Sequence, residues 1–296
     1  MTEQDVEIFL AVVRWGSISA AAEAMFITQP AVSRHIRELE RELGCPLVRR
    51  SKGRRHIELT EQGERFIATA RKWRELWRET RELAAGEQKT QLRLTSVGSV
   101  STYLLPPVFK SFLQQNDGCT ICFNYQHSLE AYRCMDRGEA DLALISDDMY
   151  LKGIETVPAF REPMVLLTPK QAGYAEELHP SELDPRLEIR LPWNPEYDLW
   201  HDFWFNPSIR PRATLDQMSL LEDFFSWGDS WAVMPLSAAR SIARTQDVVF
   251  NRLHDGPPAR IIYYLLGPAS QRETAFRFLD CLRRELENYP EIDCML

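Results

Sequence analysis

Apolar residues recur every three or four positions over the first 44 residues, a spacing that predicts amphipathic helices. One helix covers residues 4–15, and a short alanine-rich helix covers residues 19–25. A third helix begins after the N-cap Thr28, carries Pro30 in its first turn and ends at Gly44. The apolar face of this third helix consists of Val32, Ile36, Leu39 and Leu43.

The opposite face of the third helix presents small polar and basic side chains at its N-terminal end. Two helices joined by a short turn, the second with such residues, have the geometry that enters the DNA major groove. Residues 47–59 have a basic tip between two apolar shoulders, which predicts a two-stranded wing. We therefore expect a winged helix-turn-helix over residues 1–60, in which Gln29 and Ser33 contact base edges. The predicted DNA contacts are Thr28, Gln29, Pro30, Ser33, Arg34, Arg37, Arg50, Lys52, Arg54 and Arg55.

The pattern of residues 61–89 predicts a linker that consists mainly of one long helix. Its apolar positions alternate spacings of four and three residues, which is the pattern of a coiled-coil seam. This stripe could pack on its own domain, but the winged module has other apolar faces to cover its core. We therefore expect Phe66, Trp73 and Trp77 to contact the same helix of a second subunit, forming a dimer.

From residue 91 the pattern changes to strands that alternate with helices. Apolar strands are predicted at 92–97, 120–125 and 141–145, with helices between them. This alternation indicates βαβ units and a parallel sheet. Residues 260–266 are predicted to be a returning strand, and residues 270–288 a closing helix. The stretch 90–296 is therefore predicted to be an α/β domain.

The chain resembles the LysR-type transcriptional regulators over nearly its whole length. Its C-terminal part resembles the family at Gly138–Ile145, at Glu162–Leu167 and, more weakly, at Gly228–Pro235, where Ser230 replaces a glycine. The N-terminal resemblance is carried by Phe9, Gly16, Ser17, Ala21, Ala22, Thr28–Ser33, Ile36, Leu39, Glu40, Leu43, Gly44, Leu47, Arg50 and Leu59–Gly63.

The resemblance implies a sequence-specific regulator of transcription with a two-lobed effector-binding domain similar to periplasmic binding proteins. It implies a homodimer, often a dimer of dimers, and no enzymatic activity. The first lobe is expected at about 90–165 and 266–296, and the second at about 166–265, with hinges near Leu167 and Leu265. Met25 and Val48 depart from the usual leucine and phenylalanine but remain apolar, and the wing is about two residues longer than is common.

Charge is distributed unevenly along the chain. The 296 residues carry a net charge of -8, but residues 28–56 contain eight basic and three acidic side chains, a balance of +5. The remaining residues therefore sum to -13. One basic segment on an acidic protein is an electrostatic footprint for DNA. Six scattered cysteines and the lack of a basic, apolar N-terminal segment or an 18-residue apolar run indicate a cytoplasmic protein without a membrane partner.

Hydroxyl side chains follow three predicted strands of the α/β domain. Ligands of open α/β sheets bind beyond the carboxyl ends of the strands, so these side chains should converge on one crevice. The alternative is ordinary helix capping. Helix N-termini with hydroxyls predict a small metabolite that carries a carboxylate. The alternative is an amine-bearing or zwitterionic ligand, which applies if Asp147 and Asp148 also face the crevice and repel a carboxylate. The candidate effector contacts are Ser99, Ser101, Thr102, Ser128 and Ser146.

Other features allow alternative interpretations. An aromatic cluster that includes Trp193, Trp227 and Trp231 could line a pocket but is more often core. The tripeptide 228–230 occurs in some serine hydrolases, and the two-lobed part resembles solute-binding proteins. Neither alternative explains the DNA-binding pattern. Cys119 and Cys122 are expected to be buried thiols, and no histidine or cysteine spacing implies a metal or another cofactor.

Overall fold

The computed structural model describes residues 1–49, 57–84, 90–225 and 228–296. The chain forms two compact units, Met1–Lys89 and Thr90–Leu296. Within the described ranges, every helix is too short or too polar to cross a membrane.

The first unit contains four helices and a two-stranded wing. Thr2, Ser17 and Thr28 each accept a hydrogen bond from a backbone N–H at the start of a helix, which explains where the first three helices begin. Gly16 and Gly44 end the first and third helices in the left-handed conformation. The elements are α1 (Glu3–Trp15), α2 (Ile18–Ala24), α3 (Gln29–Leu43), β1 (Val48–Arg49), β2 (Glu58–Leu59) and α4 (Glu61–Ala84).

The core of the first unit lies between α1, α2, α3 and the start of α4. Val32, Ile36 and Leu39 of α3 are fully buried there, as the helical spacing predicts. Leu43 is 39% exposed because it lies at the last residue of α3, beyond the packed face. The antiparallel strands β1 and β2 pair Val48 with Leu59, which confirms the two shoulders of the predicted wing.

The second unit is an α/β structure with two sheets. Its elements in chain order are β3 (Gln91–Ser96), α5 (Gly98–Tyr103), α6 (Leu105–Gln115), β4 (Thr120–Tyr125), α7 (Ser128–Asp136), β5 (Leu142–Ile145), β6 (Glu155–Glu162), β7 (Met164–Pro169), β8 (Glu177–Leu178), β9 (Ile189–Arg190), α8 (Pro195–Trp204), β10 (Ala213–Thr214), α9 (Leu221–Phe225), β11 (Ala232–Pro235), α10 (Leu236–Ile242), β12 (Val248–Leu253), β13 (Arg260–Leu266), α11 (Arg272–Leu286) and β14 (Asp293–Cys294).

The first lobe is built on a six-stranded sheet with the order β14-β6-β13-β5-β3-β4. Strand β3 is parallel to both β4 and β5, which confirms the predicted βαβ units. Helices α6 and α11 pack together on this sheet, and Phe112 and Phe278 meet edge to face at 5.4 Å between ring centroids. Cys119 and Cys122, predicted to be buried, are only half-buried because they lie on the edge strand β4 and at its start.

The second lobe is built on a four-stranded sheet with the order β11-β7-β12-β8. Tyr197, Phe205 and Trp231 are buried in its core, so most of the described aromatic cluster has the structural role that aromatic side chains usually have. Trp227 lies outside the described residues. Phe203 is 77% exposed and is not part of this core.

The chain crosses between the two sheets at Pro163 and again within residues 254–259. Strand β13 belongs to the first lobe, whereas the sequence assigned most of it to the second. It pairs with β6 along its whole length, so backbone hydrogen bonds hold it in the first sheet. Leu167 and Leu265, the predicted hinges, lie inside β7 and β13 and are fully buried, which places the crossings elsewhere.

Candidate nucleic-acid interface and effector cavity

The N-terminal half of α3 carries most of the predicted DNA contacts. Thr28, Gln29, Pro30, Arg34 and Arg37 are exposed, and Ser33 is half-buried. The hydroxyl of Thr28 accepts the Ala31 N–H at 3.4 Å, so this side chain also caps the helix. Within the described ranges neither Arg34 nor Arg37 forms an ion pair. Their positive charges therefore remain available to an external anion.

The wing is anchored to α3 by one carboxylate. Oε1 of Glu40 accepts the backbone N–H groups of Leu47 at 2.8 Å and of Val48 at 3.1 Å. This contact fixes the base of the wing beside the helix. The predicted wing contacts Arg50, Lys52, Arg54 and Arg55 lie outside the described residues.

His35 on α3 has an intramolecular partner that sequence reasoning missed. Its Nδ1 lies 2.8 Å from Oδ1 of Asp5 in α1. Burial alone would raise the pKa of Asp5, but hydrogen bonds from His35 and Thr2 outweigh it and hold that pKa below its usual value. With Glu38, the ligand atoms of these side chains lie within 4.8 Å of one another and could reach a cation. The short Asp5–His35 contact instead joins α1 to α3.

The stripe on α4 is shared between the core of the first unit and solvent. Phe66 packs against Phe9 with 5.2 Å between ring centroids, and Trp73 lies at the edge of the same core. Trp77 stacks on Trp73 and donates its indole N–H to Glu3 at 2.7 Å. Leu76 is 61% exposed and Trp77 is 41% exposed. Phe66 and Trp73 thus pack within their own unit, and Leu76 and Trp77 supply the exposed apolar surface.

A cavity of about 300 Å³ opens at the carboxyl ends of β3, β4 and β5. Ser99, Ser128 and Ser146 line it, one after each strand. The hydroxyl of Ser128 accepts the Ser146 N–H at 3.3 Å, and the Ser146 hydroxyl donates to the Trp193 carbonyl at 3.3 Å. Three of the five predicted effector contacts therefore converge in one place.

The other two predicted effector contacts do not line this cavity. Helix α5 begins at Gly98, and the Ser101 hydroxyl donates to the Gly98 carbonyl at 3.1 Å. Thr102 is exposed on the same short helix. Successive helical residues are about 100° apart, so only Ser99 of this group points toward the strand ends.

Arg260 lines the cavity and was not predicted from the sequence. It is 1% exposed, its Nε donates to Glu162 Oε1 at 2.8 Å, and its Nη1 donates to the Ser99 hydroxyl at 2.8 Å. The guanidinium also lies 5.5 Å from the centre of the Trp193 ring. In the sequence, Glu162 and Arg260 are opposite charges at the ends of two apolar strands. The two residues are 98 positions apart, so their pairing could not be predicted from local pattern.

Several carboxylates also line the cavity. Burial, Glu196, Asp148 and Asp198 together raise the pKa of Asp147, although a hydrogen bond with Ser128 opposes them. An adjoining cavity of about 390 Å³ shares Ser146 and Asp147 with the first and is also lined by Asp148 and Glu196. One guanidinium and several acids thus line the cavity.

The tripeptide considered as a hydrolase site has no exposed nucleophile. Ser230 is fully buried, and its hydroxyl accepts a hydrogen bond from Arg212 Nη1 at 2.7 Å. The same nitrogen lies 2.6 Å from Asp229. An activated serine needs a neighbouring general base, and here its neighbour is a cation.

Two family models match the chain in sequence order. The bacterial regulatory helix-turn-helix model of the lysR family matches residues 4–64, and the LysR substrate binding domain matches residues 85–287. The chain belongs to the LysR family. This is a family of DNA-binding regulators and not of enzymes.

Sequence identity to an individual LysR-type relative extends over part of the chain. The uncharacterized HTH-type transcriptional regulator YcgK of Bacillus subtilis (strain 168) is 32% identical over 185 residues, 61% of this chain and 55% of YcgK. The chain therefore spans about half the length of that relative.

The LysR fold is shared with solved structures of full-length proteins. A full-length OxyR variant from Pseudomonas aeruginosa has a TM-score of 0.66 at 21% identity, covering 96% of this chain and 95% of OxyR. CbnR, solved in complex with its target DNA, has a TM-score of 0.57 at 23% identity, covering 96% of this chain and all of CbnR. At these identities the likeness concerns the fold.

Proposed function

We propose that this protein regulates transcription by binding duplex DNA through α3 and the wing, under the control of a small molecule bound between the two lobes. Membership of the LysR family and the exposed polar face of α3 support the DNA-binding part. The observation that carries the effector part is the cavity in which Ser99, Ser128 and Ser146 meet. A DNA-binding regulator of this kind acts in the cytoplasm, where bacterial DNA lies.

In this proposal α3 lies in the major groove, with Gln29 and Ser33 at base edges and Arg34 at a base or phosphate. Selection of binding sites from a random DNA pool by the full chain should yield a two-fold symmetric sequence. Gln29→Ala should relax the selected sequence, whereas the exposed glutamine on α1 offers a matched control in Gln4→Ala. A Gln29→Ala protein that selects the original sequence unchanged contradicts this placement.

The effector part is tested with two serines of α5, Ser99, which lines the cavity, and Ser101, which does not. A thermal-shift screen of metabolites on the full chain should find a compound that stabilises it by mass action. Ser99→Ala should weaken binding of that compound because Ser99 lines the cavity. Ser101→Ala, whose hydroxyl bonds within α5, should bind it normally. Equal binding by both variants and the original chain would place the effector elsewhere.

We further propose a homodimer, or a dimer of dimers, formed in part through α4. The exposed Leu76 and Trp77 support this proposal, since a paired helix would cover them. A symmetric dimer would set the spacing of two half-sites on DNA.

A further inference from the structure

We infer that the effector of this protein carries a protonated amine, which Asp147 binds, and an oxygen acceptor at its other end, which the Arg260 guanidinium binds. This inference rests on the proposed function, because it names the chemical class of the ligand for the same cavity. Amino acids are the simplest metabolites with both groups. The inference reverses the preference for a plain carboxylate that the hydroxyl-lined strand ends suggested.

The first observation concerns two buried polar atoms on residues that line this cavity, each without a hydrogen-bond partner among the described residues. Oδ1 of Asp147 accepts no hydrogen bond from the described residues, and Nη2 of Arg260 donates none to them. Nη2 lies 2.6 Å from Glu162 Oε1 as part of the ion pair, but the angle of that contact does not make a hydrogen bond. A buried acceptor or donor without a hydrogen bond destabilises the folded protein. A ligand that donates to Asp147 and accepts from Arg260 satisfies both atoms.

The second observation is the balance of charge around the cavity. The positive charge of Arg260 is already balanced by Glu162, which is fully buried beside it. His127 contacts Asp216 at 3.3 Å, and Arg190 contacts Asp198 at 3.0 Å. Among the described lining residues, Asp147, Asp148 and Glu196 have no ion-pair partner. The excess is negative, so the ligand supplies the positive charge.

These observations also separate the roles of the two ends of the ligand. At Arg260 the requirement is an acceptor atom, because the charge there is neutralised, and a carboxylate, amide or hydroxyl oxygen meets it. At Asp147 a cationic donor fits, because its Oδ1 has no hydrogen-bond partner among the described residues and the neighbouring lining residues Asp148 and Glu196 are also acidic. A carboxylic acid without an amine would add a further negative charge to an acidic wall.

Matched sets of compounds test the inference on the full chain by calorimetry. Each set contains an amino acid, the amine that lacks its carboxylate and the acid that lacks its amine, with lysine, phenylalanine and alanine among the parents. We expect at least one amino acid to bind, its amine to bind more weakly, and its amine-free acid not to bind. Binding of amine-free acids with no binding by any amine or amino acid overturns the inference. So does a panel in which no amine-bearing compound binds.

Substitutions locate the amine. Asp147→Asn should lower the affinity for the bound compound about 10- to 100-fold, which is the loss expected for a hydrogen bond to a charged group. Glu196 is exposed, so Glu196→Gln should leave the fold intact. This variant should weaken binding of the same compound several-fold, because it removes a nearby negative charge. Asp117→Asn, the same change on an exposed loop away from the cavity, should have no effect.

The results also separate this inference from the proposed function. Unchanged or tighter amine binding in both Asp147→Asn and Glu196→Gln contradicts the inference. If Ser99→Ala then still weakens the compound, the cavity remains the effector site and only the assigned class is wrong. If Ser99→Ala also binds it normally, the proposed site fails as well.

Discussion

Phe26 combines two unfavourable features in the turn between α2 and α3. Its φ of 55° lies in the left-handed region, and it is 96% exposed. A non-glycine residue in that region costs roughly 1–2 kcal/mol, and Phe26 gains almost no packing in return. The residue lies shortly before Thr28, the N-cap of the helix that is proposed to enter DNA.

Phe26→Asn should therefore stabilise the first unit by about 0.5–1 kcal/mol, because asparagine tolerates the left-handed conformation. Phe26→Ala removes the ring but keeps the unfavourable backbone, so its free energy of unfolding should stay near the original. Hydrogen exchange of α1–α3 peptides as a function of urea measures both. A loss of stability in Phe26→Asn would show that the ring contributes to the folded unit.

The Asp5–His35 contact makes the stability of the first unit depend on pH. The pKa of Asp5 is lowered by folding, so its contribution is present above the unfolded value near 3.8 and is lost as pH falls through the folded value. Asp5→Asn should flatten the decline of stability below about pH 4. Urea midpoints at pH 5, 4 and 3 from pulsed hydrogen exchange of α1 measure it. Glu23→Gln, at an exposed acid, should follow the original curve; equal slopes in all three proteins would contradict the assignment.

The sequence allowed us to predict the cavity residues that follow adjacent parallel strands. It did not allow us to predict a cavity residue that is positioned by the pairing of two strands far apart in the chain. Ser99, Ser128 and Ser146 could be predicted because the carboxyl ends of adjacent parallel strands must lie together. Arg260 could not, because only the pairing of β13 with β6 brings it to Glu162. Ser101 does not line the cavity, because the starting residue of α5 decides which hydroxyl faces inward.

At the scale of elements, α4 serves two surfaces. Its first turns complete the core of the first unit through Phe66, and its later turns expose Leu76. Periodicity predicted the apolar stripe correctly. It could not show which of its residues pack in the core and which are exposed, because core contacts and subunit contacts have the same spacing. Likewise, periodicity predicted β13 as a strand but not its sheet, because partner choice depends on register with β6.

Leu76→Glu tests the subunit contact without disturbing the core. A charge introduced at the 61% exposed Leu76 should leave the monomer folded but place an unpaired carboxylate in a paired helix interface. Sedimentation should show a smaller species with loss of DNA affinity. Ala24→Glu adds the same charge at an exposed position of α2 and should keep the original oligomer. An unchanged sedimentation coefficient in Leu76→Glu would exclude this helix face.

At the scale of the whole molecule, the uneven charge should orient the protein on DNA in the proposed function. The +5 segment at residues 28–56 attracts a polyanion, and the -13 carried by the rest repels it. The footprint could be predicted from the sequence because it depends on charge counts within a short segment. The individual contacts with bases and phosphates depend on how α3 fits into the DNA groove.

The affinity for DNA should fall steeply with salt. Arg34→Ala and Arg37→Ala should each reduce the slope of log affinity against log salt by about 0.9 if each arginine contacts one phosphate. Titrations of labelled duplex between low and physiological salt measure the slope. Arg252→Ala, at an exposed arginine of the second unit, should leave it unchanged. A slope that responds to Arg252→Ala but not to the α3 variants would relocate the DNA surface.

The buried Arg260–Glu162 pair has a mechanical consequence for signalling. Glu162 ends β6 immediately before the first crossing, and Arg260 begins β13 immediately after the second. Pulling them apart would leave two uncompensated charges in the interior, a cost of about 3–5 kcal/mol. Arg260 and Glu162 are also register partners in the first sheet, so the pair holds the two crossings side by side. Any movement of the second lobe therefore has to bend the chain beyond the pair, at Pro163 and within residues 254–259.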